Sequence, residues 1–326
     1  MTPRPKAIAD ALARADFEGL AFRTGAEVLT GLSGEKLIGS LQRIAALLVA
    51  EESCYLEIGV FQGLTLLSVA ASRPGLECVG IDNFSQFDAG GRNRAILEDR
   101  RRRLGATNAR LIDSDYEVAF NGALLRLGEK RIGLYFVDGP HDYRAQRMCL
   151  DLALPLLAAD AVIVVDDANY PHVRQANCDF LRTQPDFRLI FEAYTRCHPS
   201  NMSSSEARRS GQGWWNGVHV LIRDASRRLV DQWPPTEPDR QFYQNDHVIH
   251  ASNIGEATPD VIDLMQPLVA LPTPRNLARS ARAVVRLLGH RWRIMRSPRY
   301  RAANTYSSKL PATRTHPQLG GDSPWN

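Results

Sequence analysis

Residues 53–65 read Ser53-Cys-Tyr-Leu-Glu57-Ile-Gly59-Val-Phe61-Gln-Gly63-Leu-Thr65. An apolar run of strand length, Cys54–Ile58, leads into two glycines spaced G-x-x-x-G and then into an apolar segment. Glycines at a strand-to-helix turn let the backbone approach a ligand closely and expose helix N-terminal amides. Four more short apolar runs follow, at Glu77–Ile81, Ala109–Ile112, Ile132–Val137 and Ala161–Val165, with connections of helical length between them. Buried strands alternating with helices imply a parallel sheet covered on both faces. Two further runs, Phe187–Ala193 and Gly217–Ile222, are joined by a polar stretch too poor in apolar residues for a crossover helix, so an antiparallel edge hairpin is expected. The expected fold is therefore α/β: a doubly wound, Rossmann-like, mostly parallel sheet with an antiparallel edge hairpin, N-terminal helices and a C-terminal basic helix.

Outward from this core, residues 1–50 read as a helical segment. Leu37, Leu41, Ile44 and Leu48 keep helical spacing, Ile38 and Leu47 widen the stripe, and Ser33 is a suitable start with Glu35 after it. The main domain is expected over residues 51–224. Trp233-Pro-Pro-Thr-Glu-Pro breaks the pattern, and residues 225–274 form an extension with weak periodicity. From 275 to 326 the chain reads as a basic amphipathic helix and a disordered tail. Leu277, Ala281, Val284, Leu288, Trp292 and Met295 share one helical face, opposite Arg279, Arg282, Arg286, His290 and Arg293.

Charge is divided in the same way. Of 40 Lys+Arg and 36 Asp+Glu, 11 and one lie from Arg275 onward, which leaves 29 basic against 35 acidic residues in the body. A mildly acidic body is not expected to bind nucleic acid, while the basic tail suits a peripheral membrane surface or a protein partner. There is no run of 18 apolar residues, and charges are scattered through the first twenty, so neither a membrane span nor a secretory signal is expected. Five cysteines without a C-x-x-C pair read as reduced thiols, three of them within apolar runs, and a cytoplasmic location is expected.

The chemistry sits at the strand ends. Without G-x-G-x-x-G, a dinucleotide pyrophosphate fits the first turn less well than a cofactor lacking phosphates. Glu57, just before the first glycine, suits an ammonium group. Asp82 ends the second run, where an acid accepts ribose hydroxyls, and Asp113-Ser114 ends the third, where an adenine edge would fall. Singly, each is a common turn feature; their order on successive strands is the signal. Glu57-x-Gly59-x-x-x-Gly63 followed by Asp82 resembles the first motifs of class I S-adenosylmethionine (SAM)-dependent methyltransferases, over about residues 53–224. The resemblance assigns Glu57, Gly59 and Gly63, with Phe61 in the same loop, to the methionine end of SAM, Asp82 to the ribose, and Asp113 with Ser114 to the adenine.

The fourth run ends in Asp138-Gly-Pro-His141-Asp-Tyr143 and the fifth in Asp166-Asp167. Three converging carboxylates repel one another unless a cation sits among them. Arg144 is a poor match for three acids, and all-oxygen ligation suits Mg²⁺, with Mn²⁺ or Ca²⁺ as alternatives. The bland reading is that Asp138 and Asp166 cap the turns that follow them. The D-G-x-H-x-Y string with a later D-D resembles the metal-dependent O-methyltransferases of the catechol and, more closely, the macrocin type. On that resemblance Asp138, Asp166 and Asp167 are the metal acids. The catechol type usually has Asn where Asp167 stands, and a lysine base where this chain has His141. His141 would then be the general base, its alternative being a structural or metal-supporting role.

Between the last two runs lie Cys197-His198-Pro-Ser-Asn-Met-Ser-Ser-Ser205 and Gly211-Gln-Gly-Trp214-Trp215-Asn216-Gly217. This polar stretch suits a lid. Trp214 and Trp215 would stack on a sugar or aromatic acceptor, unless at least one covers the sheet edge. The macrocin-type resemblance points to a hydroxyl of a small molecule or glycan. The rival expectations are a metal-independent methyltransferase or hydroxylase-like relative on this scaffold, and a non-catalytic SAM-binding adaptor held by the basic helix.

Overall fold

The computed structural model describes residues 4–23, 25, 27–88, 90–122, 125–196, 198–199, 202–236, 258–269, 273–296 and 314–315. The expected strands all form: β1 Ser53–Ile58, β2 Glu77–Asp82, β3 Ala109–Asp113, β4 Arg131–Val137, β5 Leu157–Asp166, β6 Phe187–Ala193 and β7 Val218–Arg223. A two-residue strand, β8 Arg314–Thr315, pairs with the outer edge of β6. The order is β3-β2-β1-β4-β5-β7-β6-β8. Strands β1 to β5 run parallel, and β7 lies antiparallel between β5 and β6, so the hairpin joins the sheet by its second strand.

This order places the site. From β1 the chain steps outward through β2 to β3, then returns to the other side of β1 with β4 and β5. The connections after β1 and β4 therefore part in opposite directions, and a crevice opens where their carboxyl ends lie side by side. Gly59 and Asp138 meet there: Asp138 donates its amide to the Ile58 carbonyl, and a Cβ on Gly59 would strike the Asp138 carbonyl.

Side-chain alternation along the strands builds two cores. On one face Tyr55, Leu134, Phe136, Val162 and Val164 pack against α1 Arg4–Glu18, α2 Glu35–Ala45, α3 Leu64–Ser72 and Leu97 of α4 Asn93–Leu104. On the other, Leu56, Ile58, Tyr135, Val137, Ile163 and Val165 pack against α5 Tyr116–Asn121, α6 Tyr143–Ala153 and α7 Pro171–Thr183. The strands are covered on both sides, as their continuous apolar runs require. Helices α1 and α2 thus share a core with the sheet.

Two local expectations change. Ser33 does not cap α2: Gly34 holds that position, and the Ser33 hydroxyl has no hydrogen-bond partner. The Gly213 carbonyl, brought from far along the chain, accepts from the Lys36 amide instead. The polar stretch between β6 and β7 is not all loop. It holds α8 Ser204–Gly211, whose Ser203 and Glu206 form a reciprocal capping box. A two-turn helix stabilised by its cap shows little hydrophobic periodicity, so apolar spacing misses it.

Toward the C-terminus, α9 Thr258–Val269 packs against α10 Pro274–Arg296. The basic helix forms where its periodicity predicts. The rest of the expected extension, residues 237–257 and 270–272, and the expected disorder after Ala302, apart from 314–315, lie outside the described residues. Cys54, Cys78, Cys149 and Cys178 are buried free thiols, and Cys197 lies outside the described residues. Among the described residues no helix is long and apolar enough to cross a membrane.

Candidate active site

The turn after β1 is held in an uncommon backbone path. Gly59 and Gly63 have φ of 85° and 83°, and Phe61, which is not a glycine, has φ of 50°. A left-handed residue with a side chain costs about 1–2 kcal/mol. Asp82, at the end of the neighbouring β2, secures the turn. Its Oδ2 accepts from the Val60 and Phe61 amides at 2.8 and 2.7 Å, and its Oδ1 from the Phe84 amide at 2.7 Å. A carboxylate has about four acceptor sites, so this clamp leaves Asp82 little spare capacity.

Glu57 is fully buried. Its two oxygens accept from the Tyr55 hydroxyl at 2.5 Å and the Thr65 hydroxyl at 2.6 Å. Burial pushes its pKa up to about 8; the two hydroxyls oppose the shift, and Asp138 and Asp82 add to it. Such a carboxyl gains from a cation placed beside it. The β3 end is more open. Asp113 pairs with Arg94 at 2.5 Å on the surface, and the Ser114 amide donates to the Asp82 carbonyl. The helix cap here is Asp115, which accepts from the Glu117 amide.

At the β4 and β5 ends, three side chains converge. Asp138, His141 and Asp167 each offer a ligand atom, and these atoms lie within 4.8 Å of one another. His141 Nε2 is 2.8 Å from Asp167 Oδ2, and its ring stacks on Tyr170 with centroids 5.0 Å apart. Burial raises Asp138 to about 8, reinforced by the charge of Asp167 and offset in part by His141. Burial also works to raise Asp167, yet the charge and hydrogen bond of His141, with Asn216 and His198, hold it below the ordinary carboxylate range. Asp166 stands outside the three. It is buried, its Oδ1 accepts from the Asp167 amide, and burial with its acidic neighbours drives its pKa well upward. Neither Asp138 nor Asp166 caps a helix. Asp142 caps α6, and α7 starts at Pro171 with no side-chain cap.

Two residues that the sequence left without a role reach this place. Asn216, fully buried just before β7, donates from Nδ2 to Asp167 Oδ1 at 2.6 Å, while its own Oδ1 is buried without a partner. Because Asp167 can only accept, the amide orientation follows from the chemistry. His198 lies close enough for Asp167 and His141 to act on it electrostatically, and burial lowers its pKa. No sequence signal marks Asn216. It comes to Asp167 because β7 pairs with β5, Val218 opposite Asp166, and that pairing is not visible in the order of the strands along the chain.

The tryptophans divide. Trp214 is 5 % exposed, packs on Phe191 at 4.8 Å and donates from Nε1 to Asp16 of α1 at 2.9 Å. It covers the sheet, so the stacking role expected of it is not available. Trp215 is partly buried with a left-handed φ of 55°. A cleft of about 320 Å³ lies along α3, lined by Leu20, Phe22, Leu29, Ile38 and Leu64 among others, and includes none of the strand-end acids.

Residues 56–168 match the family model described as a methyltransferase domain. The match runs from β1 to the turn after β5 and includes Glu57, Asp82, Asp138, His141, Asp166 and Asp167. No curated protein matches the chain. Among solved structures, the O-methyltransferase TomG of Streptomyces achromogenes, involved in tomaymycin synthesis and crystallised with SAM, shows 17% identity over 68% of this chain and 99% of its own, with a TM-score of 0.47. The Bacillus cereus O-methyltransferase with S-adenosylhomocysteine (SAH) shows 11% over 68% and 91%, at 0.42. The SAH-bound Podospora anserina methyltransferase PaMTH1 shows 17% over 67% and 87%, at 0.40.

Proposed function

We propose that this chain transfers a methyl group from SAM to a hydroxyl of a small molecule or glycan, aided by a divalent cation. The observation that carries the proposal is the convergence of Asp138, His141 and Asp167 at the switch point of the sheet, beside the Gly59–Gly63 turn. The match of residues 56–168 to a methyltransferase domain supports it, as does the resemblance of the strand-end motifs to metal-dependent O-methyltransferases of the macrocin and catechol types.

The donors present fit a cation. Two carboxylates sit within 4.8 Å of each other, Asp138 raised by burial and further by the charge of Asp167, and a buried amide oxygen beside them has no partner. Asp138 and Asp167 would hold the ion, with Asp166 as the further carboxylate of the set. Bound there, a Mg²⁺-like ion supplies Lewis acidity that makes an acceptor hydroxyl easier to deprotonate. The turn after β1 and Glu57 would hold the methionine end of SAM, Asp82 its ribose, and Asp113 with Ser114 its adenine.

His141 is arranged as a base. With Nε2 hydrogen-bonded to Asp167, the neutral form of the imidazole would carry its lone pair on Nδ1. Asn216 fixes the other oxygen of Asp167, so His141 is oriented through two linked hydrogen bonds. As the acceptor oxygen bonds to the methyl carbon, the carbon–sulfur bond breaks and SAH leaves. His141 Nδ1 takes the hydroxyl proton. The sulfonium makes the methyl group reactive, and the protein contributes placement and a proton acceptor.

The same Asp167–His141 pair supports the second reading, a base-driven transfer that needs no ion. Labelled methyl transfer from SAM to a panel of hydroxylated small molecules and sugars separates the two. The first reading predicts loss of transfer in EDTA, recovery with Mg²⁺, and a kcat about 10²–10⁴-fold lower in His141→Gln. Full transfer in EDTA together with the His141→Gln loss selects the second. Transfer indifferent to both changes removes the site from the reaction.

A further inference from the structure

Helices α9 and α10 are joined by charge and expose apolar side chains. Arg286 bonds to Asp260 at 2.5 Å and to Asp263 at 3.2 Å, Arg279 pairs with Asp263 at 3.6 Å, and the Ser280 hydroxyl donates to the Asp263 carbonyl. The most buried of the described α10 side chains, Ala283 and His290, lie on one stripe with Ser280 and Leu287. A different stripe carries Leu277, Ala281, Val284, Val285, Leu288 and Trp292. Its large members are 42 % to 70 % exposed. On α9, Val261, Ile262 and Met265 are exposed as well. A helical pair whose surroundings are water turns its apolar stripes inward and its ion pairs outward. This pair shows the reverse order.

Charge identifies the medium. The two helices hold seven arginines against two aspartates, and among the described side chains Arg279 and Arg286 pair with those aspartates. A basic helix of this length with an exposed apolar stripe, and too many charges to cross a bilayer, fits the boundary between headgroups and acyl chains. Trp292, an aromatic side chain suited to that boundary, lies at the end of the stripe. We infer that α9 and α10 dock this chain on an anionic phospholipid surface, with the Leu277–Leu288 stripe of α10 against the acyl chains and the arginines toward the headgroups. The inference is independent of the chemistry at the sheet.

Sedimentation of the full chain with phosphatidylcholine vesicles, and with vesicles that also contain phosphatidylglycerol, tests it. The wild type should pellet with the anionic vesicles, far less with neutral ones, and less at high salt. The double variant Val285→Asp/Leu288→Asp should bind the anionic vesicles at least about tenfold more weakly. Its thermal midpoint and its monomer–dimer state should match the wild type, since the stripe is exposed. Absence of wild-type binding, or equal binding of wild type and variant, overturns the inference. So does a lowered midpoint, which would mean that the stripe covers the protein's own fold, or a dimer that the variant breaks, which would make a second copy the occupant.

Discussion

Asp167 takes φ of 57°, a conformation that costs a non-glycine residue about 1–2 kcal/mol. That path turns its two oxygens toward different partners, His141 and Asn216. Asn216→Ala should therefore act on catalysis through Asp167: a kcat about 10–100-fold lower with SAM affinity unchanged, read by steady-state kinetics beside calorimetry. A normal kcat would make the Asn216 contact purely structural. Glu57 carries a pH signature. Its folded pKa, about 8, lies above the ordinary 4.5, so the folded state holds a proton that the unfolded state has released over that interval. This contribution is complete below about pH 4.5 and lost as pH rises through 8. Without ligand, the unfolding free energy of the wild type, read from urea melts, should fall toward pH 8 more steeply than that of Glu57→Gln, by a difference on the order of 1–4 kcal/mol. Parallel curves would place a cation or water on Glu57 already. Asp138 and Asp167 were legible as candidates because they stand at the ends of apolar runs, and His141 because it lies three residues past Asp138. Asn216 and His198 were not, because their nearness depends on how the last two strands insert.

Among the elements, the β2 end carries a clamp where the sequence motif leads one to expect a ribose contact. The Asp82 carboxylate holds three backbone amides of neighbouring turns. Asp82→Ala should lower stability without any ligand by about 2–4 kcal/mol, since it leaves those amides unsatisfied around a left-handed turn. Asp113→Ala, which removes a surface ion pair with Arg94, should change it by less than about 1 kcal/mol. Urea melts of both variants check this, and equal losses would contradict the clamp. Strand positions were legible from their apolar runs to within a few residues. The start of α2 was not: its capping carbonyl comes from Gly213, and no local pattern reports a partner that distant. Helix α8 escaped because its cap, not its periodicity, defines it.

In the whole molecule, the N-terminal helices are tied to the edge of the sheet that carries the candidate site. Asp16 of α1 accepts from Trp214, Lys36 of α2 ion-pairs with Asp16 at 2.7 Å and bonds by its amide to Gly213, and two residues past Trp214 stands Asn216 on Asp167. Reading residues 1–50 as a segment apart describes their sequence pattern; in the structure their apolar faces complete one core of the sheet. The doubly wound architecture was legible because alternating strands and helices leave few topologies open. Which hydroxyl is methylated leaves no trace in strand order. The account as a whole depends on SAM occupying the crevice beside Gly59, and calorimetric titration of SAM into the purified full chain tests that without knowledge of the acceptor. The account predicts one site per chain with a Kd on the order of 1–100 µM, weakened by Glu57→Gln. No binding at millimolar SAM would contradict it.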